Sequence, residues 1–179
     1  MSESIAAITP SPGSSLESWS TLHSQLPLVR IGLFEMELLS SPYLPLKDWL
    51  LERKLGKLAS SLGGKTSWLV IAVKDNGDPL IVSSLSSVEP GAFPVYAVDI
   101  ESNAFEKLQV ADTIENCALV LRRLHALSPG RESIHAYLEK PLASSAWDHF
   151  LSEAERENPH SEAWFWTCDN DMLGEDPEG

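Results

Sequence analysis

The chain has 179 residues, 43% of them hydrophobic, which is the size and apolar content of one ordinary domain with a real core. Its formal net charge is −13 and its pI is near 4.7, which argues against DNA or RNA as a partner, because affinity for phosphates comes largely from Lys and Arg. Two readings of the acidity remain: it keeps the protein soluble, or it attracts a basic protein and speeds association.

Residues 1–13, with two prolines, a glycine and several serines, read as a flexible leader. "MSESIAAITPSPGSS" has no basic start and no long apolar run, so a signal peptide is not expected. No stretch approaches the roughly 18 uninterrupted apolar residues of a membrane span. Two cysteines, Cys117 and Cys168, without a CxxC, make no disulfide framework. A cytoplasmic protein, without a membrane, is the expectation.

Ser14 with Glu17 forms a capping box, and Leu16, Trp19 and Leu22 fall on one face of a short helix that ends before Pro27. Leu28–Leu39 fits strand and helix alike, with strand favoured over Val29–Phe34. Pro45 opens a longer helix at its favoured first-turn position. Leu51, Leu55, Leu58 and Leu62 follow at helical spacing, and Gly63 and Gly64 close it.

Ala59, Gly64, Lys65 and Thr66 have the spacing of a relaxed phosphate-binding loop. Such a loop follows a strand and opens a helix, whose N-terminal amides hold the anion. Here the glycines end a helix and lead into a strand, at the negative end of the helix dipole. A nucleotide site is therefore not expected.

"SWLVIAVKD" is a continuous apolar run, read as a central strand covered on both faces. "DNGD" carries the Asn-Gly pair of a tight hairpin, and "PLIVSSL" returns. Pro94–Ile100 and Phe105–Ala111 supply two more strands. Val95 and Ala97 share one face with Asp99; Tyr96, Val98 and Ile100 share the other. Asp112 and Glu115 box the next helix, whose buried stripe is Ile114, Cys117, Ala118, Leu121 and Leu124. Ser128 and Pro129 start a short helix carrying Ile134, Tyr137 and Leu138. Ser144 or Ser145 caps the last clear helix, with Trp147, Phe150, Leu151 and Ala154 inward and Asn158-Pro159 as its stop. "AWFWTC" is pinned to the core as a strand or a turn of helix, and 169–179 reads as an acidic tail. The prediction is α+β: a single domain over 14–168, with a central antiparallel sheet of four to six strands and helices packed against it.

From Tyr43 to Leu127 the pattern resembles the SUKH superfamily of cell-wall assembly regulators and bacterial immunity proteins. The resemblance rests on a glycine-ended helix, "WLVIAVKDNGDPLIVS", "PVYAVDIE" and "LQVADTIENCALVLRRL". In that family a Gly-Asp turn leads into a strand, a "PVY" strand follows, and an "ADS/ADT" element caps a helix. The resemblance implies a non-enzymatic, cofactor-free protein that binds and neutralises a cognate protein toxin in competition between bacteria.

The residues themselves leave several options open. The five histidines, His23, His125, His135, His149 and His160, form no HxH, HExxH or Cys-His cluster, and zinc needs converging ligands. His149, His160 and Cys168 could still meet in space. Cys117 reads as a small buried hydrophobe and Cys168 as more exposed, with no local base to activate either. No GxSxG elbow occurs. Asp99, Glu101 and Glu106 surround one hairpin. They read as solvated turn residues, as general acid/base groups of an acidic-cleft hydrolase, or as an anionic docking surface for Lys and Arg of a partner. From Arg131 onward stand 12 acidic and 3 basic residues, so Glu153, Glu157, Asp169 and Asp171 make a second docking candidate. Trp19, Trp49 and Trp147 read as core; Trp164 and Trp166, flanking Phe165, anchor an interface or staple the C-terminus to its own core. The favoured reading is a cytosolic immunity protein acting by occlusion of a basic toxin. An adaptor or chaperone of an effector secretion system and an acidic-cleft hydrolase are the alternatives.

Overall fold

The computed structural model describes residues 13–41, 43–62, 67–83, 93–101 and 105–171. The leader up to residue 12, the caps at Gly63 and Gly64, and residues 172–179 of the acidic tail lie outside them. So does the side chain of Ser14. The order is α1 (Gly13–Gln25), β1 (Leu28–Ile31), β2 (Phe34–Leu38), α2 (Leu46–Glu52), α3 (Gly56–Ser61), β3 (Trp68–Lys74) and β4 (Pro79–Ser83). There follow β5 (Val95–Val98), β6 (Lys107–Ala111), α4 (Ile114–Leu127), α5 (Ile134–Glu139), α6 (Ser144–Glu157), a 3-10 helix (Ala163–Trp166) and α7 (Cys168–Asp171). The six strands form one antiparallel meander in sequence order. Helices pack on it, so the fold is α+β.

The sheet separates two apolar layers. On one face Val29, Ile31, Phe34, Met36, Leu80, Val82, Val95 and Ala97 meet α1, α4, α6 and the C-terminal segment. On the other, α2 and α3 cover Val70, Ile81 and Val98. The strands β3 and β4 are therefore buried on both sides, as the unbroken apolar run required. Strands β1 and β2 alternate, with Arg30 and Glu37 exposed.

Two β-bulges shift this alternation. One falls between Val70 and Ala72, the other between Val95 and Tyr96 opposite Val110. Each puts two consecutive residues, Ile71-Ala72 and Val110-Ala111, into the same apolar layer. The bulged carbonyls are capped by indoles: Trp19 Nε1 donates to the Ile71 carbonyl (3.1 Å) and Trp166 Nε1 to the Val110 carbonyl (3.0 Å). Trp19 and Trp166 thus supply both bulk and a hydrogen bond to a buried carbonyl, the Ile71 carbonyl also accepting the Leu39 N–H (2.9 Å).

Several local expectations are corrected. The Leu28–Leu39 stretch is a hairpin turning at Gly32, whose φ of 60° suits glycine. The single helix expected from Pro45 to Leu62 is two helices. Lys54 N–H bonds the Leu51 carbonyl (3.0 Å) and Leu55 N–H the Leu50 carbonyl (2.9 Å), a Schellman ending with Lys54 at φ 61°. The break turns Leu46, Trp49, Leu50, Leu58, Ala59 and Leu62 onto the sheet and leaves Leu51 51% exposed. Lys54→Gly should therefore stabilise the protein by up to about 1 kcal/mol, read as a shift in urea midpoint, because the left-handed strain of a side chain disappears.

Thr113, not Asp112, caps α4, accepting the Asn116 N–H (3.0 Å); Asp112 is engaged elsewhere, as described below. Ser133 caps α5, and Ser128–Gly130 form a turn with Gly130 at φ 77°. Ile134 and Leu138 on α5 are exposed, leaving Tyr137 as its buried contact. Ala143 precedes α6 without a side-chain cap, so neither Ser144 nor Ser145 serves as one. The stretch between α3 and β3 lies outside the described residues, yet it joins a helix to a strand, the reverse of the phosphate-loop order.

Both outer strands are partly covered. The Ser128 hydroxyl donates to the Arg30 carbonyl, and Gly32 N–H bonds Arg131 (2.8 Å) beside β1. Beside β6, Glu162 N–H bonds the Gln109 carbonyl (2.9 Å). These contacts blunt the edges against strand addition.

Candidate functional site

The C-terminal third is stitched down β6 by polar groups. Asn158 Oδ1 accepts the Asp112 N–H (2.8 Å), and the Asp112 carboxylate accepts from His160 N–H (3.3 Å) and the Ser161 hydroxyl. Arg123 on α4 forks onto α6, reaching Glu153 (3.2 Å) and both oxygens of Glu157. Two of the four C-terminal docking candidates, Glu153 and Glu157, are thus held by an internal arginine. Asp169 pairs with Lys74 at 2.7 Å. The side chains of Asp171 and Cys168 lie outside the described residues.

This stitching folds Ala163–Trp166 into a 3-10 turn that sorts its aromatics. Phe165 and Trp166 are buried, while Trp164 is 52% exposed, its Nε1 donating to Glu162 (2.9 Å). The two readings of the aromatic segment therefore divide: Phe165 and Trp166 staple the C-terminus, and Trp164 faces outward.

Trp164 and Phe165 wall a groove of about 390 Å³ that also includes Lys74, Asp99, Glu106 and Lys107. The groove joins the 3-10 turn to the ends of β5 and β6. Two of the three hairpin carboxylates, Asp99 and Glu106, line it; Glu101 is exposed beside them, its N–H bonded to Asp99 (2.8 Å). Lys107 leans over Tyr96, its ammonium 4.5 Å from the ring centre. The groove thus sets a large, half-exposed indole beside both carboxylates and lysines, over an apolar lining that includes Val98 and Leu108.

Lys74 also lines the groove, and no motif in the sequence singles it out. It ends an apolar strand, is 7% exposed, and sits 5.0 Å from the Phe165 ring centre as well as against Asp169. A charge this buried needs its partner, so α7 is part of the domain. Asn170 extends the same contact. Its Oδ1 accepts the Leu33 N–H (2.9 Å) and its Nδ2 donates to the Ile31 carbonyl (3.0 Å). The first residues assigned to the tail, Asp169–Asp171, therefore belong to the folded body.

Asp75 stands on the next turn. Burial pushes its carboxyl up from the usual range, and the Asp169 and Glu35 charges add to this. A raised carboxyl disfavours the folded state once it ionises. The penalty is absent at low pH, sets in as pH rises through the carboxylate range, and is complete above the raised pKa. Asp75→Asn keeps an oxygen for the Asn76 N–H (2.8 Å). It should raise Tm at pH 7 and lose that advantage as the pH falls below the carboxylate range.

Among the described residues no group of three His, Cys, Asp or Glu side chains is arranged to hold a metal ion. His135 and His149 lie along exposed helix faces beside Glu139 (3.1 Å) and Glu153 (3.9 Å). Cys117 is fully buried, and burial pushes its thiol far up, the opposite of what a nucleophile needs. No helix among the described residues is long and apolar enough to cross a membrane. No protein-family model matches the chain, and neither does any curated protein or solved structure.

Proposed function

We propose that the chain is an immunity protein of the SUKH type, acting in the cytoplasm by binding a cognate basic protein toxin and covering its working surface. One observation carries the reading: Trp164, half exposed, shares a groove with Asp99 and Glu106. A half-exposed tryptophan beside carboxylates is the kind of residue that anchors an interface, and Asp99 and Glu106 suit Lys or Arg of a basic partner, while Lys74 and Lys107 in the same groove make its charge mixed. The residues behind the resemblance also occupy fitting places. Gly77-Asp78 leads into β4, Val95-Tyr96 lies in β5, and Asp112-Thr113 enters α4. The net charge of −13 adds long-range attraction.

The test is co-expression with the product of the neighbouring gene, as the candidate toxin, in a host sensitive to it. Survival should require this chain and should fail with Trp164→Ala. That truncation, at a half-exposed position, should change folding stability by no more than about 1 kcal/mol. A host that dies equally with and without the chain overturns the proposal.

A further inference from the structure

A second groove, of about 320 Å³, opens between the β1–β2 turn, the β3–β4 turn and the start of α5. Its apolar wall is Leu33, Phe34 and Ile134, and its carboxylates are Glu35, Asp75 and Glu132. Ile134 is 46% and Leu138 56% exposed. They stand four residues apart on α5 and so share one face. The helix α7 touches the walls of both grooves, through Asp169 to Lys74 in the first and through Asn170 to Leu33 in the second.

We propose that this second groove docks a lysine- or arginine-bearing, partly apolar segment of a protein partner, with the cation between Asp75 and Glu132 and the apolar side chains on Ile134 and Leu138. Charge complementarity selects this occupant. Arg30 lies in the groove but is bonded to Glu35, which leaves the charges of Asp75 and Glu132 uncompensated by the residues that line it. Glu132 accepts the Gly130 N–H (3.1 Å), and backbone hydrogen bonds hold its carboxyl below the usual range, so it enters the groove as an anion. Asp75 feels Asp169 and Glu35 as repulsive neighbours, and Lys74, whose charge offsets part of this, is also paired with Asp169. An incoming cation relieves that repulsion, while a polyamine without apolar side chains leaves Ile134 and Leu138 wet. The inference shares with the immunity reading only the premise of a basic protein partner. Peptide docking here can succeed where protection of a host fails, and the reverse.

The experiment titrates the full-length, isotope-labelled chain with an alternating Lys-Leu octapeptide, the matching Glu-Leu octapeptide, and spermidine, following backbone amide shifts. The Lys-Leu peptide should move the amides of Gly32–Glu35, Asp75 and Ser133–Leu138. Its Kd should rise about tenfold between 20 and 200 mM salt, as expected for charge pairing at a surface. Asp75→Asn should weaken binding roughly fivefold without lowering Tm, and Glu52→Gln, on the helix covering the opposite face of the sheet, should change nothing. Shifts confined to other regions, equal binding of spermidine or the Glu-Leu peptide, or an Asp75→Asn affinity equal to that of the parent chain would each overturn the proposal.

Discussion

Trp166→Ala is expected to destabilise the protein by about 4 kcal/mol, with Trp166→Phe costing about half as much. The indole is 1% exposed and packs edge-on to Phe165 (5.0 Å between ring centres) and tilted against Phe34 (6.2 Å). Truncating a buried aromatic to alanine removes that burial and leaves a cavity. Phenylalanine restores much of the volume but has no N–H for the Val110 carbonyl, which the bulge in β6 leaves dependent on Trp166. The difference between the two variants measures the packing, and the residual cost of phenylalanine measures the lost indole bulk and hydrogen bond. Urea denaturation reads both, with an unchanged m-value as the sign that the folded state keeps its shape. A Trp166→Phe variant as stable as the parent would show that the carbonyl finds another partner, and would refute the capping role.

Asn170→Ala is the second large effect, at about 3 kcal/mol, because one substitution removes the partner of both a half-buried N–H at Leu33 and a buried carbonyl at Ile31. Gly32 belongs to the same contact. A Cβ there would lie 2.0 Å from Asn170 Oδ1, on a backbone already at φ 60°. Gly32→Ala should therefore cost about 2 kcal/mol or more in the parent chain, through clash and strain together. With Asn170 already truncated, the clash with its oxygen vanishes and about 1 kcal/mol of backbone strain remains. The double-mutant cycle should show coupling of at least about 1 kcal/mol. Strict additivity would mean that α7 does not bear on the β1–β2 turn.

Legibility followed the strength of the local signal. The runs in β3 and β4 were readable because two-sided burial writes continuous apolar residues, and Asn76-Gly77 marks the turn between them with φ 93° at Gly77. The stripe of α4 was readable from helical spacing, from Ile114 to Leu124. The Leu28–Leu39 hairpin was not, since its strands are short and Gly32 alone marks the reversal. The helix break at Lys54 was hidden because a lysine fills the position that glycine normally announces. Bulges leave no composition signature, so the roles of Trp19 and Trp166 as carbonyl caps emerge only from the register.

At the candidate site, Asp99 and Glu106 line one groove, because a hairpin keeps its two ends together. Sequence proximity could not pair Arg123 with Glu153 and Glu157 across two helices, nor Lys74 with Asp169 across most of the chain. A count of carboxylates alone pointed to the C-terminal third, whereas Arg123 and Lys74 engage Glu153, Glu157 and Asp169 within the fold.

The most direct test of the immunity reading is the Kd between the purified chain and the product of the neighbouring gene, as the candidate toxin, measured from low to high salt for the parent and for Trp164→Ala. Affinity should fall steadily as salt rises, with a loss of at least about tenfold on truncating Trp164 at unchanged Tm. Affinity indifferent to salt, together with a Trp164→Ala variant that binds as well as the parent, would contradict that reading.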